Sequence, residues 1–373
     1  MSQNSFTISY PALHSGTDKS QINFVPGTPD LAKLFFESEE AQEPRRRFFV
    51  TDATVASLAC MQSFISKFDD GVCGKDCLLI LGSGEPYKTI ESVLNIVKAA
   101  FEANFSRKDI FIGIGGGVIC DITAFAASIY KRGTSVQFVP TTLLAMVDAS
   151  VGGKTGCDFE NYKNIIGTFF PAKKLFYFPE FVQYLPENQY NSGLAEAFKT
   201  ALLFDKDLYD LFKDEADKIN ARDSKTLEKI INKCVKAKGK IVEEDFTEQG
   251  IRAYLNLGHT FGHALETAAG LGSITHGAAV AWGIGRAVEV AYKKDYCMQS
   301  FRDEVFDILK AYNWDTDPVP SFVRGGGFCE RLINIMRTDK KNVSDNIRLI
   351  LCQGIADIKF EEVDEKIISS VLK

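Results

Sequence analysis

IFIGIGGGVICDITAFAASIYKRG, residues 110–133, runs from an apolar stretch through a cluster of glycines into an apolar helical pattern. A strand buried on both faces is a short continuous apolar run, so IFIGI at 110–114 reads as one. GIGGGVICD at 113–121 then turns the chain and opens a helix over 117–131. Glycines there let a backbone approach a diphosphate closely, and a helix N-terminus favours negative charge. The spacing departs from the GxGxxG fingerprint: Gly115 and Gly117 fit its first two positions, but Cys120 occupies the third. Taken alone, the segment suits a nucleotide-binding turn and an ordinary tight strand-to-helix turn equally well.

The same alternation extends on both sides. FFVT at 48–51, LLIL at 78–81 and VQFVP at 136–140 read as strands, and 53–67 and 88–104 as helices. Such alternation implies a parallel sheet covered by helices. LGSGEPYKT at 81–89 also follows a strand, and its Glu85 and Lys88 suit ribose hydroxyls and phosphate. Thr141 and Thr142 add hydroxyls after the fourth strand. SVGGKTG at 150–156 is not a Walker A loop, because Asp148 stands where its first glycine is required. Its glycines and Lys154, with Lys163 and Asn164 beyond, still suit an anion; the plain alternative is a surface turn with solvated charge.

After about Pro179 strand-like runs nearly vanish. Helical periodicity covers 191–204, 206–219, 224–243, 255–269, 277–293 and 300–312, with a late strand at Leu349–Leu351. The chain therefore reads as an α/β nucleotide-binding domain with a parallel sheet over 1–178 and an all-α domain over 179–373.

The second half holds three of the four histidines within eighteen residues: His259 and His263 in RAYLNLGHTFGHALE, and His276 in THG. Histidines four apart share a helix face, and neutral imidazole is a common zinc ligand. A lone HxxxH is more often two core histidines, but three clustered in a histidine-poor chain favour a metal site. LAEAFKT at 194–200 places Glu196 and Lys199 on one helix face among apolar neighbours, where a carboxylate suits a third ligand and an ammonium a substrate oxygen. Lys238, Arg252, Asn256, Lys340 and Lys341 supply further cations and an amide, which suits a substrate with more than one anionic group.

Composition narrows the class. A net charge of −6 marks no nucleic-acid or anionic-membrane binder. The best membrane candidate, AAVAWGIGRAVEVAY, carries Arg286 and Glu289, so no spanning segment is expected. The first twenty residues lack the pattern of a signal peptide, and nine scattered cysteines read as reduced thiols of a cytoplasmic protein.

These residues resemble the 3-dehydroquinate synthase family, of the sugar-phosphate cyclase group. The match runs from about residue 45 to 355 and rests on GGGVICD, YKRG, PTTLLAMVDASVGGKTG, KNIIGTFF, SGLAEAFK, the spaced Lys238 and Arg252, LNLGHTFGHALE, HG and DKKN. The resemblance implies an NAD-binding α/β domain followed by a helical metal-binding domain. It implies a carbon–oxygen lyase of the shikimate pathway. Such an enzyme converts 3-deoxy-D-arabino-heptulosonate 7-phosphate to 3-dehydroquinate and phosphate by transient NAD-dependent oxidation, elimination, re-reduction and aldol closure. It implies zinc, with cobalt as alternative, on Glu196, His259 and His276, so that His263 lies beside the substrate instead of on the metal. Asp148, Lys154, Asn164, Lys199, Lys238, Arg252, Asn256, His263, Lys340 and Lys341 are implied to line the substrate site. Arg132 is implied to reach phosphate across a homodimer interface. Asp52, Glu85, Lys88, Gly116, Gly117, Asp121, Thr141, Thr142 and Lys163 are implied to contact NAD. Thr200, Ala278 and Tyr184 depart from the usual family residues at their positions. Arg252 with Lys238 favours a carboxylated substrate over the aminocyclitol or valiolone precursors made by other cyclases of the group.

Overall fold

The computed structural model describes residues 5–11, 19–160, 162–270, 272–323, 326–338 and 346–373. The chain divides into two compact units, Met1–Leu185 with Lys238–Thr247, and Pro186–Ala237 with Glu248–Lys373. The division expected from sequence lay at 178/179; the observed first crossing is at Leu185/Pro186, and ten residues at the end of the long helix Ser224–Glu244 and just beyond it group with the first unit. A change from strand to helix periodicity shows where architecture changes, but a helix that continues from one unit to the other leaves no mark in that pattern.

The first unit is a sheet of eight strands among the described residues. Their order is Ser5–Ser9, Lys19–Phe24, Lys174–Tyr177, Ser135–Pro140, Ile110–Gly115, Arg47–Asp52, Asp76–Leu81 and Val72–Cys73. The inner strands all pair in parallel, and only the two edge strands are antiparallel. Arg47–Asp52 and Ile110–Gly115 are buried at every position, which explains the apolar runs FFV and IFIGI within them. Helices Ile90–Glu102 and Gly117–Ile129 connect strands. The helix expected over 53–67 is instead three short turns, Ala53–Ala56, Ala59–Met61 and Gln62–Ile65, because Leu58 takes an extended backbone (ψ 140°). The segment that begins at Lys154 within SVGGKTG is a hairpin, Lys154–Phe159 with Tyr162–Phe169, where sequence suggested an anion site or a surface turn.

The second unit is helical with, among the described residues, one antiparallel hairpin, Ile347–Gly354 with Asp357–Val363, which contains the expected late strand. Helices Glu187–Phe204 and His276–Lys293 are buried over most of their length, and helix His259–Ala269 packs on the latter. The periodicity over 206–219 resolves into Lys206–Asp214 and Ala216–Asn220, since Glu215 leaves helical geometry. No helix among the described residues is long and apolar enough to cross a membrane.

Candidate functional site

In the first unit the residues singled out above follow the carboxyl ends of four parallel strands. Asp52 ends Arg47–Asp52, Glu85 and Lys88 follow Asp76–Leu81, Gly116 follows Ile110–Gly115, and Thr141 follows Ser135–Pro140. Open α/β sheets bind ligands outside these strand ends, where the order of strand addition reverses. The reversal here lies between Arg47–Asp52 and Ile110–Gly115, since Asp76–Leu81 is added on one flank and Ile110–Gly115 on the other.

The glycine turn is fixed by close packing. A Cβ on Gly115 would lie 2.6 Å from Ile119 Cβ, and one on Gly116 would lie 3.0 Å from Thr142 Cγ2. Helix Gly117–Ile129 starts there with no side-chain cap, so its N-terminal amides are left for water or an anion. Thr141 Oγ1 is buried with no hydrogen-bond partner, the condition of a hydroxyl kept for a ligand. Asp52 Oδ1 accepts from Val55 N and Ser83 Oγ, each at 3.0 Å, so this carboxylate also caps the short helix after it.

Cations beside this edge are held by acids and amides. Lys88 Nζ lies 2.6 Å from Asp121 Oδ2 and donates to Asn164 Oδ1 at 2.5 Å. Burial alone would lower the Lys88 pKa, but Asp121 outweighs it and the net shift is upward, so the ammonium stays charged. Asn164 takes a left-handed backbone (φ 56°) and donates its N–H to Asp158 Oδ1 at 2.8 Å. Lys163 Nζ lies 4.0 Å from Glu85 Oε1, both substantially exposed. Lys238 Nζ donates to the carbonyl and Oδ1 of Asp148, each at 2.6 Å. Lys154 is exposed. Arg132 is exposed too, with a left-handed backbone (φ 67°), but it follows the far end of helix Gly117–Ile129 from the glycine turn, away from this edge.

The second unit gathers a carboxylate, an ammonium and three imidazoles. Glu196 and Lys199, each 1% exposed, form an ion pair within helix Glu187–Phe204. Two glycines bring the histidines to them. A Cβ on Gly277 would fall 2.0 Å from the Ser192 carbonyl oxygen, and Gly277 N donates to Ser192 Oγ at 3.0 Å. Ser192 lies one turn before Glu196, so this contact delivers the neighbouring His276. A Cβ on Gly283 would fall 2.1 Å from the Gly258 carbonyl oxygen, and Gly258 (φ 78°) immediately precedes His259 at the start of its helix.

The result is close convergence. Glu196 Oε1 lies 3.4 Å from His276 Nε2 and 3.6 Å from His259 Nε2. Ligands each about 2.0–2.1 Å from a tetrahedral ion lie roughly 3.4 Å apart, so these separations suit one shared metal. Both Glu196 carboxylate oxygens are buried and neither meets hydrogen-bond geometry, although Oε2 is paired with Lys199. His259 Nδ1 donates to the Leu257 carbonyl at 3.1 Å, which leaves Nε2 as the lone-pair nitrogen. Burial, with the Lys199 charge, lowers the His259 pKa to about 3 and keeps the ring neutral. Burial opposes charge on His276 too, but Glu196 and Glu266 outweigh it and raise that pKa to about 9.

His263 is exposed, its ring centroid 5.3 Å from that of His259 and 5.7 Å from that of His276. The three imidazoles bring nitrogens within 4.8 Å of one another, so the cluster that spacing suggested does form. Arg252 is 1% exposed in the turn Ile251–Asn256, and Asn256 Nδ2 donates to Glu248 Oε1 at 3.0 Å. Lys340 and Lys341 lie outside the described residues. Sequence reasoning passed over Glu266, which is 8% exposed with Oε2 3.4 Å from His276 Nδ1. Its signal was present: it stands seven residues after His259, two helical turns along the same face.

The family described as 3-dehydroquinate synthase N-terminal matches residues 78–192, and 3-dehydroquinate synthase C-terminal matches 193–342. A 3-dehydroquinate synthase of Acidithiobacillus ferrooxidans is 38% identical over 312 residues, 82% of each chain. One from Shewanella pealeana is 35% identical over 324 residues, 87% of this chain and 88% of its own. Among solved structures, 2-deoxy-scyllo-inosose synthase complexed with carbaglucose-6-phosphate, NAD+ and Co2+ superposes with a TM-score of 0.83 at 23% identity, covering 99% of both chains. The 2-epi-5-epi-valiolone synthase of Streptomyces hygroscopicus, with NAD+ and Zn2+ bound, gives 0.82 at 26% identity over 97% of both. With family matches on both halves and relatives aligned over most of its length, the chain belongs to the 3-dehydroquinate synthase family.

Proposed function

We propose that this chain converts 3-deoxy-D-arabino-heptulosonate 7-phosphate to 3-dehydroquinate and phosphate, as a carbon–oxygen lyase of aromatic amino-acid biosynthesis. The observation that carries the reading is Glu196 Oε1 within 3.4–3.6 Å of two imidazole Nε2 atoms, beside a buried lysine, in a member of this family. Glu196, His259 and His276 would hold a divalent ion, zinc or cobalt, and the strand-end residues of the first unit would hold NAD. When bound, the ion acidifies a substrate hydroxyl, and NAD supplies the hydride acceptor and returns the hydride.

The chain's own residues then have separable tasks. Lys199 stabilises developing negative charge on a substrate oxygen next to Glu196. Arg252 grips the carboxylate through two parallel hydrogen bonds, which its planar guanidinium allows. Lys238, oriented by Asp148, and Lys154, Asn164, Asn256 and His263 position the remaining oxygens, with Lys340 and Lys341 in the same role. Holding the substrate in one orientation favours elimination and ring closure over diffusion of the intermediate. Thr141, Thr142, Gly116 and Gly117 receive the nucleotide diphosphate; Asp52, Glu85, Lys88, Asp121 and Lys163 surround it.

Arg132 is exposed on its left-handed turn, which suits a phosphate contact made in a neighbouring copy, and we read the working form as a homodimer. The thiol state of the cysteines suits a cytoplasmic location. The test is to supply the purified chain with heptulosonate phosphate, NAD and zinc. Equal release of phosphate and dehydroquinate is expected. Accumulation of NADH without phosphate would instead describe a polyol dehydrogenase.

A further inference from the structure

We propose that Glu266 is a positioning residue for His276: its carboxylate holds the Nδ1–H and presents the Nε2 lone pair to the ion. This rests on the reading of Glu196, His259 and His276 as the metal ligands. Three observations carry it. First, Glu266 is 8% exposed, and a carboxylate is rarely buried without a charged or hydrogen-bonding partner. Second, its Oε2 lies 3.4 Å from His276 Nδ1, while the opposite nitrogen of the same ring, Nε2, lies 3.4 Å from Glu196 Oε1. The imidazole is thus gripped on one edge and aimed with the other. Third, His259 has the same design with a different partner, since its Nδ1 donates to the Leu257 carbonyl at 3.1 Å. Both rings therefore offer Nε2 and spend Nδ1 on an orienting acceptor.

The difference between the two acceptors matters. A backbone carbonyl fixes a tautomer and adds no net charge. A carboxylate fixes the tautomer and also raises the basicity of the ring, strengthening it as a ligand. Glu266 and His259 lie on one helix, whereas His276 begins another, so the pair also ties the two ligand-bearing helices at the site. Glu196 supplies the charge that a divalent ion needs from its direct ligands. Glu266 adds a second negative charge one imidazole further out.

The test uses metal affinity, measured by chelator competition on the full chain with zinc as the probe, with no substrate present. Glu266→Leu should weaken zinc binding roughly 10–100-fold, the usual cost of losing such a partner. Glu266→Gln keeps an acceptor for Nδ1–H without the charge and should fall between Glu266→Leu and wild type. In a His276→Ala background, Glu266→Leu should change zinc affinity by less than about twofold, because its effect passes through the missing ring. Wild-type affinity in both Glu266 variants would overturn the proposal. So would an undiminished Glu266→Leu effect in the His276→Ala background, which would mark Glu266 as a general structural residue. Failure of the underlying ligand reading is separate: it would appear as wild-type zinc affinity in His276→Ala itself.

Discussion

The two units assemble their polar groups by different means. In the first, the groups sit on turns after successive parallel strands, so one sheet places them in a row. In the second, Glu196, His259 and His276 come from three helices that pack closely where Gly277 and Gly283 admit backbone carbonyls and a Cβ would collide. The strand-end row tolerates variation, because each turn is placed by its own strand. The helical cluster does not, because moving any one helix separates Glu196 Oε1 from the imidazoles it lies beside. The comparison predicts that damage to the second unit is severe and specific to metal, whereas damage to the first is graded and specific to nucleotide.

The largest effect expected is from His259→Ala. It should lose both bound metal and activity, while NAD affinity measured by fluorescence titration stays near wild type. Full metal occupancy in this variant would remove His259 from the ligand set. Next comes Arg252→Lys, where a single ammonium replaces a two-pronged grip. Its kcat/KM for heptulosonate phosphate should fall by on the order of 1.5–3 kcal/mol of transition-state stabilisation. Wild-type kinetics in Arg252→Lys would move the carboxylate contact elsewhere.

The pH dependence of the metal-free protein gives a smaller and more discriminating effect. His276 has a folded pKa near 9 against an ordinary 6.5, so its stabilising contribution is complete below about 6.5 and is lost as pH rises through 9. His259 is shifted the other way, to about 3, so it stays neutral when folded and stability falls as pH drops below 6.5. Thermal unfolding in chelator should therefore show a stability maximum near neutral pH. His276→Ala should abolish the decline on the alkaline side, and a decline that persists unchanged would place its source outside this cluster.

The smallest effect tests the other unit. Thr141→Val removes a buried hydroxyl that has no protein partner, so stability should hold or rise slightly. NAD affinity should drop by about 0.5–1.5 kcal/mol, the net worth of one hydrogen bond, with zinc affinity unchanged. Loss of stability without loss of NAD affinity would make Thr141 a packing residue.

The same contrast explains what was legible in the sequence. Strand ends are read directly from apolar runs followed by glycines or hydroxyls, so Gly116 and Thr141 immediately follow parallel strands, and Lys88 comes one helical turn later. Local spacing was a poorer guide to the helical cluster. The interval of four pointed to His259 and His263 as partners, and they are neighbours, yet the carboxylate lying close to both His259 and His276 comes from sixty-three residues before His259. What joins them is tertiary packing at Ser192–Gly277 and Gly258–Gly283, which no periodicity encodes. The hairpin after Gly153 was missed for a related reason. Its second strand is largely exposed and carries no buried face to create an alternating pattern. Likewise the spacing puts Glu266 on the His259 face of its helix, but only the packing of the next helix gives it His276 as a partner.

The central claim is that the strand-end groups and the helical cluster serve one reaction in which the hydride is returned. The most direct test is turnover with NAD present at far less than the substrate concentration, following dehydroquinate, phosphate and NADH together. The account predicts many equivalents of dehydroquinate and phosphate per NAD, with no net accumulation of NADH. Product formation that stops after one equivalent per NAD, with NADH rising in step, would contradict it.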